Sequence, residues 1–139
     1  PEMSSDEVTK NVIREIKKSK FEFICLNFAN PDMVGHTGNF TAAVKACEAV
    51  DNHLGSIIDE ANKEDYTSII IADHGNCERM TNDDGSVNTS HTINPVPIIL
   101  VNSEKKEIKN GVLADIAPTV LDILGIETPI EMKGESLLL

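Results

Sequence analysis

Apolar residues in this chain recur at two different spacings, and the changes of period divide it into segments. Val8, Val12, Ile13 and Ile16 fall at three- and four-residue steps and predict an amphipathic helix over residues 4–18. Ser4-x-x-Glu7 has the spacing of a capping box at its start. Residues 21–28 form an apolar run interrupted by Glu22 and Asn27, the pattern of a buried strand, which Asn30-Pro31-Asp32 breaks. The helical period returns with Phe40, Ala43, Val44, Cys47, Val50, Leu54, Ile57, Ile58 and Ala61, predicting a long helix over residues 39–62 with one buried face. Gly55 is its weak point, costing about 1 kcal/mol relative to Ala. Residues 67–72 contain Ile69-Ile70-Ile71, a β-branched run of the kind found in central parallel strands. Residues 96–101 make a third strand, with Pro97 at an edge or entry position. A last helix is expected over 117–124, with Pro118 in its first turn and Gly125 at its end. The order of elements argues for an α/β layered fold with a mostly parallel sheet. Three strands leave an open edge, which points to missing partners.

A length of 139 residues suits one domain of common size. With no Trp and one Tyr the core must be aliphatic. The formal charge of −11 argues against nucleic acid as a partner, since that surface calls for a basic face. No apolar stretch approaches the roughly 20 residues of a membrane span, and the polar N-terminus carries no signal-peptide pattern, so a cytoplasmic location without membrane attachment is expected. Cys25, Cys47 and Cys77 are odd in number and lack the C-x-x-C spacing of thiolate zinc or redox sites. Cys25 and Cys47 are read as small buried hydrophobes in a reducing compartment. His53, beside Val50 and Ile57, is read as structural, and Arg79 as a solvent-facing loop residue. Asn82-Asp83-Asp84-Gly85 lacks calcium-loop spacing and is read as a turn.

The polar stretch 73–95 is longer than an idle connection needs to be, and loops of that length are commonly functional. It carries three of five residues that have the chemistry of a divalent-metal site. Asp32 and His36 lie in N-P-D-M-V-G-H, Asp73 and His74 in I-A-D-H-G-N, and His91 in T-S-H-T. Carboxylates and imidazoles are the ligand types of Mn²⁺ and Zn²⁺. If Pro31 opens a helical turn, Asp32 and His36 project from one face, and His91 completes two His and one carboxylate around an open position. Asp73 and His74 are chain neighbours leaving a strand; they either face two ions or divide into a ligand and a residue that orients it. Two adjacent divalent ions favour transfer or hydrolysis of phosphoryl groups. Only Arg14 and Arg79 are available as arginines, so a bidentate clamp on phosphate is thinly supplied.

The runs F-I-C-L-N-F-A-N-P-D-M-V-G-H-T-G-N, A-V-K-A-C-E-A-V-D, I-I-I-A-D-H-G-N-C-E-x-M and N-T-S-H-T-x-N-P-V-P closely resemble cofactor-independent phosphoglycerate mutases, as do L-A-D-I-A-P-T-V-L-D-I-L-G and M-K-G-E-S-L. The resemblance covers nearly the whole chain. It implies the three-layer α/β fold of the alkaline-phosphatase-like superfamily and interconversion of 3- and 2-phosphoglycerate with two Mn²⁺ ions (Zn²⁺, Co²⁺ or Mg²⁺ in other members). Asp32, His36 and His91 match the ligands of one metal, and Asp73 and His74 match two ligands of the second. The nucleophilic serine, the remaining ligands and an inserted substrate-binding domain match nothing here, so residues 1–139 are expected to be the C-terminal part of one phosphatase-type domain. Three expectations follow: a segment of a mutase that is inactive by itself, a metal-binding module without catalysis, or another superfamily phosphotransferase or hydrolase. The sequence does not fix the oligomeric state.

Overall fold

The structure, a computed structural model, describes residues 4–104 and 107–139. The chain divides into two compact units, one built from the stretch up to residue 64 together with 74–96, the other from 65–73 together with the stretch from 97 onward.

The first unit is helical. Helix α1 (Ser5–Ile16) and helix α2 (Asn30–Gly35) both pack on helix α3 (Phe40–Lys63). The predicted stripe turns inward in α1, where Ile16 is buried and Val8, Val12 and Ile13 are half-buried. The capping box does not form. Ser4 stands at the N-cap with φ −92° and ψ 10°, outside the extended region that aims a cap hydroxyl at the first turn, and its side chain makes no cap hydrogen bond. Helix α3 starts as its sequence suggests. Asn39 is extended, and its Oδ1 accepts from Ala42 N at 3.0 Å.

The buried line of α3 is Ala43, Ala46, Ile57 and Ala61, three of them alanines that let the neighbouring helices approach closely. It is narrower than the apolar face read from sequence. Phe40 is 67% exposed, and Val44 and Cys47 are exposed too. Cys25 is also exposed, so neither Cys25 nor Cys47 is the buried hydrophobe expected. Residues 21–28 keep the side-chain alternation of a strand, with Ile24, Leu26 and Phe28 half-buried and Phe23, Cys25 and Asn27 exposed. They form no ladder with any described segment, so the expected first strand is absent as a hydrogen-bonded element. His53 is structural in its contacts, its ring stacking on Phe28 at 6.3 Å.

In the second unit, strands β1 (Ser68–Ile71) and β2 (Ile98–Val101) pair antiparallel, with Ser68 opposite Val101 and Ile71 opposite Ile98. This corrects the expectation of a mostly parallel sheet. A parallel pair needs a crossover, usually helical, whereas the connection between these strands contains no helix and simply returns. Pro97 lies at the entry to β2, where its missing N–H costs no ladder bond. Helix α4 (Ile116–Ile123) follows a 3-10 turn (Leu113–Asp115). It ends at Gly125, where φ is +68°. There Gly125 N donates to Asp122 O at 3.1 Å and Ile126 N to Leu121 O at 2.9 Å, the paired bonds of a Schellman motif. Residues 127–139 show no period because they form no helix; an isolated antiparallel bridge, Ile108 to Leu138, and side-chain contacts hold them. Leu137 N donates to Thr119 Oγ1 at 2.9 Å, and Ser136 Oγ donates to Asp122 Oδ2 at 2.6 Å.

Candidate metal centre

Helix α2 places the first two candidate ligands. Pro31 sits in its first turn, where a residue without an N–H is at no disadvantage, and its fixed φ starts the helix. Asp32 and His36 are then one turn apart, with His36 N donating to Asp32 O at 3.2 Å. Asp32 Oδ1 lies 3.1 Å from His36 Nε2. His91 arrives from the long loop, its Nε2 at 2.9 Å from Asp32 Oδ1 and 3.0 Å from His36 Nε2. His74 closes the group. Its Nε2 is 4.0 Å from Asp32 Oδ1, and its ring stacks on that of His91 with centroids 3.7 Å apart. One ligand atom from each of Asp32, His74 and His91 falls within 4.8 Å of the others. Four of the five residues singled out from sequence therefore meet in the first unit. Asp73 belongs to the second unit, where it stands exposed just past β1.

The donor chemistry suits a cation. His36 Nδ1 lies 2.6 Å from the carbonyl oxygen of Thr89, which can only accept, so Nδ1 carries the proton. In the neutral ring that leaves a lone pair on Nε2, facing His91 and Asp32. Two imidazole nitrogens and a carboxylate oxygen thus crowd within about 3 Å, an arrangement that needs a proton or a metal ion among them. Ligand atoms at about 2.1 Å around a tetrahedral ion stand roughly 3.4 Å apart, close to these separations. Burial acts to raise the pKa of Asp32, but the Asn76 hydrogen bond and the neighbouring His36 and His91 outweigh it and hold the carboxyl below its ordinary value. Asp32 is therefore an anion at neutral pH.

The turn after His74 makes contacts that its residue types did not advertise. Asn76 is buried, and its Nδ2 donates to Asp32 Oδ1 at 2.8 Å. The Cys77 thiol donates to Pro31 O at 3.0 Å. Burial, with Cys47, Glu78 and Asp32 nearby, pushes that thiol up to about 11, the opposite of what a nucleophile needs. Arg79 donates to Asp83 Oδ1 at 2.8 Å and borders an open cleft of about 280 Å³ beside His91. Residues 82–86 form the expected turn, with Gly85 at φ +83° and Asn82 N donating to Ser86 O at 2.8 Å. None of the described helices is long and apolar enough to cross a membrane.

Residues 1–128 match the family model described as the metalloenzyme superfamily. The chain belongs to that superfamily. Among curated relatives it is 57% identical over 138 residues to the 2,3-bisphosphoglycerate-independent phosphoglycerate mutase of Flavobacterium johnsoniae, covering 99% of this chain and 27% of the relative. It is 54% identical over 141 residues to 2,3-bisphosphoglycerate-independent phosphoglycerate mutase 2 of Methanosarcina acetivorans, covering all of this chain and again 27% of the relative. Among solved structures it superposes on Leishmania mexicana phosphoglycerate mutase, determined at low cobalt concentration, with a TM-score of 0.89 at 30% identity. That match covers 100% of this chain and 29% of the solved one. The chain thus spans a little over a quarter of the length of the curated relatives it matches. Membership of a metalloenzyme superfamily indicates dependence on a divalent metal.

Proposed function

We propose that this chain is the metal-binding C-terminal segment of a 2,3-bisphosphoglycerate-independent phosphoglycerate mutase, one part of a single phosphatase-type domain. The whole protein would interconvert 3- and 2-phosphoglycerate in the cytoplasm. The observation that carries the reading is the convergence of Asp32, His36 and His91 within hydrogen-bonding distance of one another. The identity to named mutases along the whole chain supports it. Asp32, His36 and His91 would hold one Mn²⁺. His74, set farther from Asp32, would serve a second. Bound there, divalent ions supply Lewis-acid polarisation of phosphoryl oxygens and a lowered pKa for an attacking hydroxyl. The chain's own part would be to bring the ligand atoms to one place and to orient them. Thr89 O fixes the His36 tautomer, and Asn76 with the two imidazoles keeps Asp32 ionised.

The activity test is an enolase-coupled assay on the full-length protein that carries this segment. Turnover of 3-phosphoglycerate should vanish on chelation and return with Mn²⁺. Turnover that survives complete chelation, or phosphate release without isomerisation, would refute the assignment. By itself the 139-residue chain should show no mutase turnover but should still bind Mn²⁺ in a calorimetric titration.

A further inference from the structure

Four consecutive residues, Gly75 to Glu78, reach the other two pieces of the cluster, Gly75 and Glu78 the His91 loop and Asn76 and Cys77 the start of α2. Gly75 O accepts from Thr92 N at 2.9 Å, which draws the residue after His91 onto the His74 strand exit. Asn76 Nδ2 donates to the Asp32 carboxylate at 2.8 Å and more weakly to Asp32 O at 3.4 Å. Cys77 Sγ donates to Pro31 O, at the start of α2. Glu78 accepts from the Thr92 hydroxyl and, at 2.9 Å, from Asn94 Nδ2. These are the contacts that join the three separately encoded pieces, Asp32–His36, His74 and His91, to one short turn.

The two flanking glycines fit the same picture. A Cβ on Gly35 would overlap Asn76 Oδ1 and press on Cys77 Sγ, so α2 can sit against the turn only without a side chain there. A Cβ on Gly75 would overlap both Thr92 Oγ1 and Glu78 Oε1. The space in which the clamp forms exists because both positions lack a side chain.

We infer that the Gly75–Glu78 turn is the positioning hub of the centre: Asn76 sets the Asp32 carboxylate, and Glu78, acting through Thr92, holds His91 in place. Glu78 is a positioning residue, since its carboxylate is spent on Thr92 and Asn94 rather than aimed at the imidazoles. Groups that orient metal ligands are typically worth 10- to 100-fold in metal affinity. The inference rests on the metal reading for its affinity test but on hydrogen bonding alone for its structural one.

The experiment measures the 139-residue chain and its Glu78→Ala, Glu78→Gln and Thr92→Val variants in two ways. Mn²⁺ calorimetry should show an affinity loss of about 10- to 100-fold for Glu78→Ala, a smaller loss for Glu78→Gln, which keeps an acceptor oxygen, and a loss for Thr92→Val. The double variant Glu78→Ala/Thr92→Val should be no worse than Glu78→Ala, because both remove one linkage. Without metal, amide exchange at His91 and Thr92 should accelerate in the variants while amides of α1 and α3 keep their protection. Unchanged affinity in Glu78→Ala, or losses that multiply in the double variant, would overturn the hub. If the parent chain binds no Mn²⁺, the metal reading fails, yet unchanged exchange at His91 and Thr92 would still overturn the hub independently. Should Glu78→Ala unfold, Thr92→Val, which removes only the hydroxyl that donates to Glu78 and accepts weakly from Asn94 N at 3.4 Å, decides the matter by the same two readouts.

Discussion

The imidazole of His36 is fixed at both ends. Its Nδ1 donates to Thr89 O, and its Nε2 looks onto Asp32 and His91. The neutral ring should therefore be the Nδ1–H tautomer in the absence of metal, a point that ¹⁵N chemical shifts of labelled histidine can read directly. A ring found with its proton on Nε2 would contradict the geometry. Removing that ring should do more than removing a positioning group. His36→Ala is expected to weaken Mn²⁺ binding by more than about 100-fold, since a ligand is lost rather than loosened. Equal binding by the variant and the parent chain would show that the ion, if bound, sits elsewhere. Asp32 has a second layer of control. Its carboxylate is shared between Asn76 and the imidazoles, so Asn76→Leu should weaken metal binding while leaving all proposed ligands in the chain.

At the scale of elements, α2 shows how a six-residue helix can serve a site. It buries only Asn30 and Gly35, so its packing energy is small and its placement depends on close approach. Gly35→Ala tests that dependence. The added methyl meets Asn76 and Cys77, so either α2 or the 75–78 turn must move. Destabilisation of about 1–3 kcal/mol is expected, the usual cost of overpacking, together with weaker metal binding. Equal stability and affinity in thermal and calorimetric measurements would show that α2 is not held so closely. Much of this centre was legible in the sequence. Pro31 followed by Asp32 and His36 at helical spacing is a local pattern, and a helix realises it locally. His91 was legible only as a chemical type in a polar loop, because the Gly75–Thr92 bridge that delivers it is a long-range contact. Asn76 and Glu78 had no signal beyond their place on the D-H-G-N-C-E turn, since any exposed turn contains such residues. The sheet misread has a different cause. Ile69-Ile70-Ile71 states that a strand is present, but its direction relative to a neighbour depends on the path of residues 72–97, which carries no periodic signal. The Phe40, Val44 and Cys47 positions erred because helical period gives an apolar face without saying how much of it finds a neighbour.

At the scale of the whole molecule, charge and carboxylate contacts pull stability in opposite directions as pH falls. The chain carries −11 at neutral pH. Moving from pH 7 toward its isoelectric point near 4.6 therefore relieves self-repulsion. Below that, specific contacts begin to fail. Backbone donation from Val112 N at 2.8 Å and Glu135 N at 2.9 Å, outweighing a smaller effect of burial, holds the Asp115 carboxyl below its usual 3.8. Its folded pKa is the lower one, so the contribution is complete above about pH 4 and disappears as pH falls through the depressed folded value. Asp115 joins the 3-10 turn to the tail, one oxygen accepting from each N–H, so its protonation should weaken both bonds and release at most the one at the protonated oxygen. Asp115→Asn keeps one acceptor oxygen and loses the charge. It should lower stability at pH 7 and flatten the acid limb of the stability curve below about pH 4, with amide exchange rising at whichever of Val112 and Glu135 faces the new NH2 group. An acid limb as steep in Asp115→Asn as in the parent would mean that other carboxylates, Asp32 among them, account for the acid sensitivity.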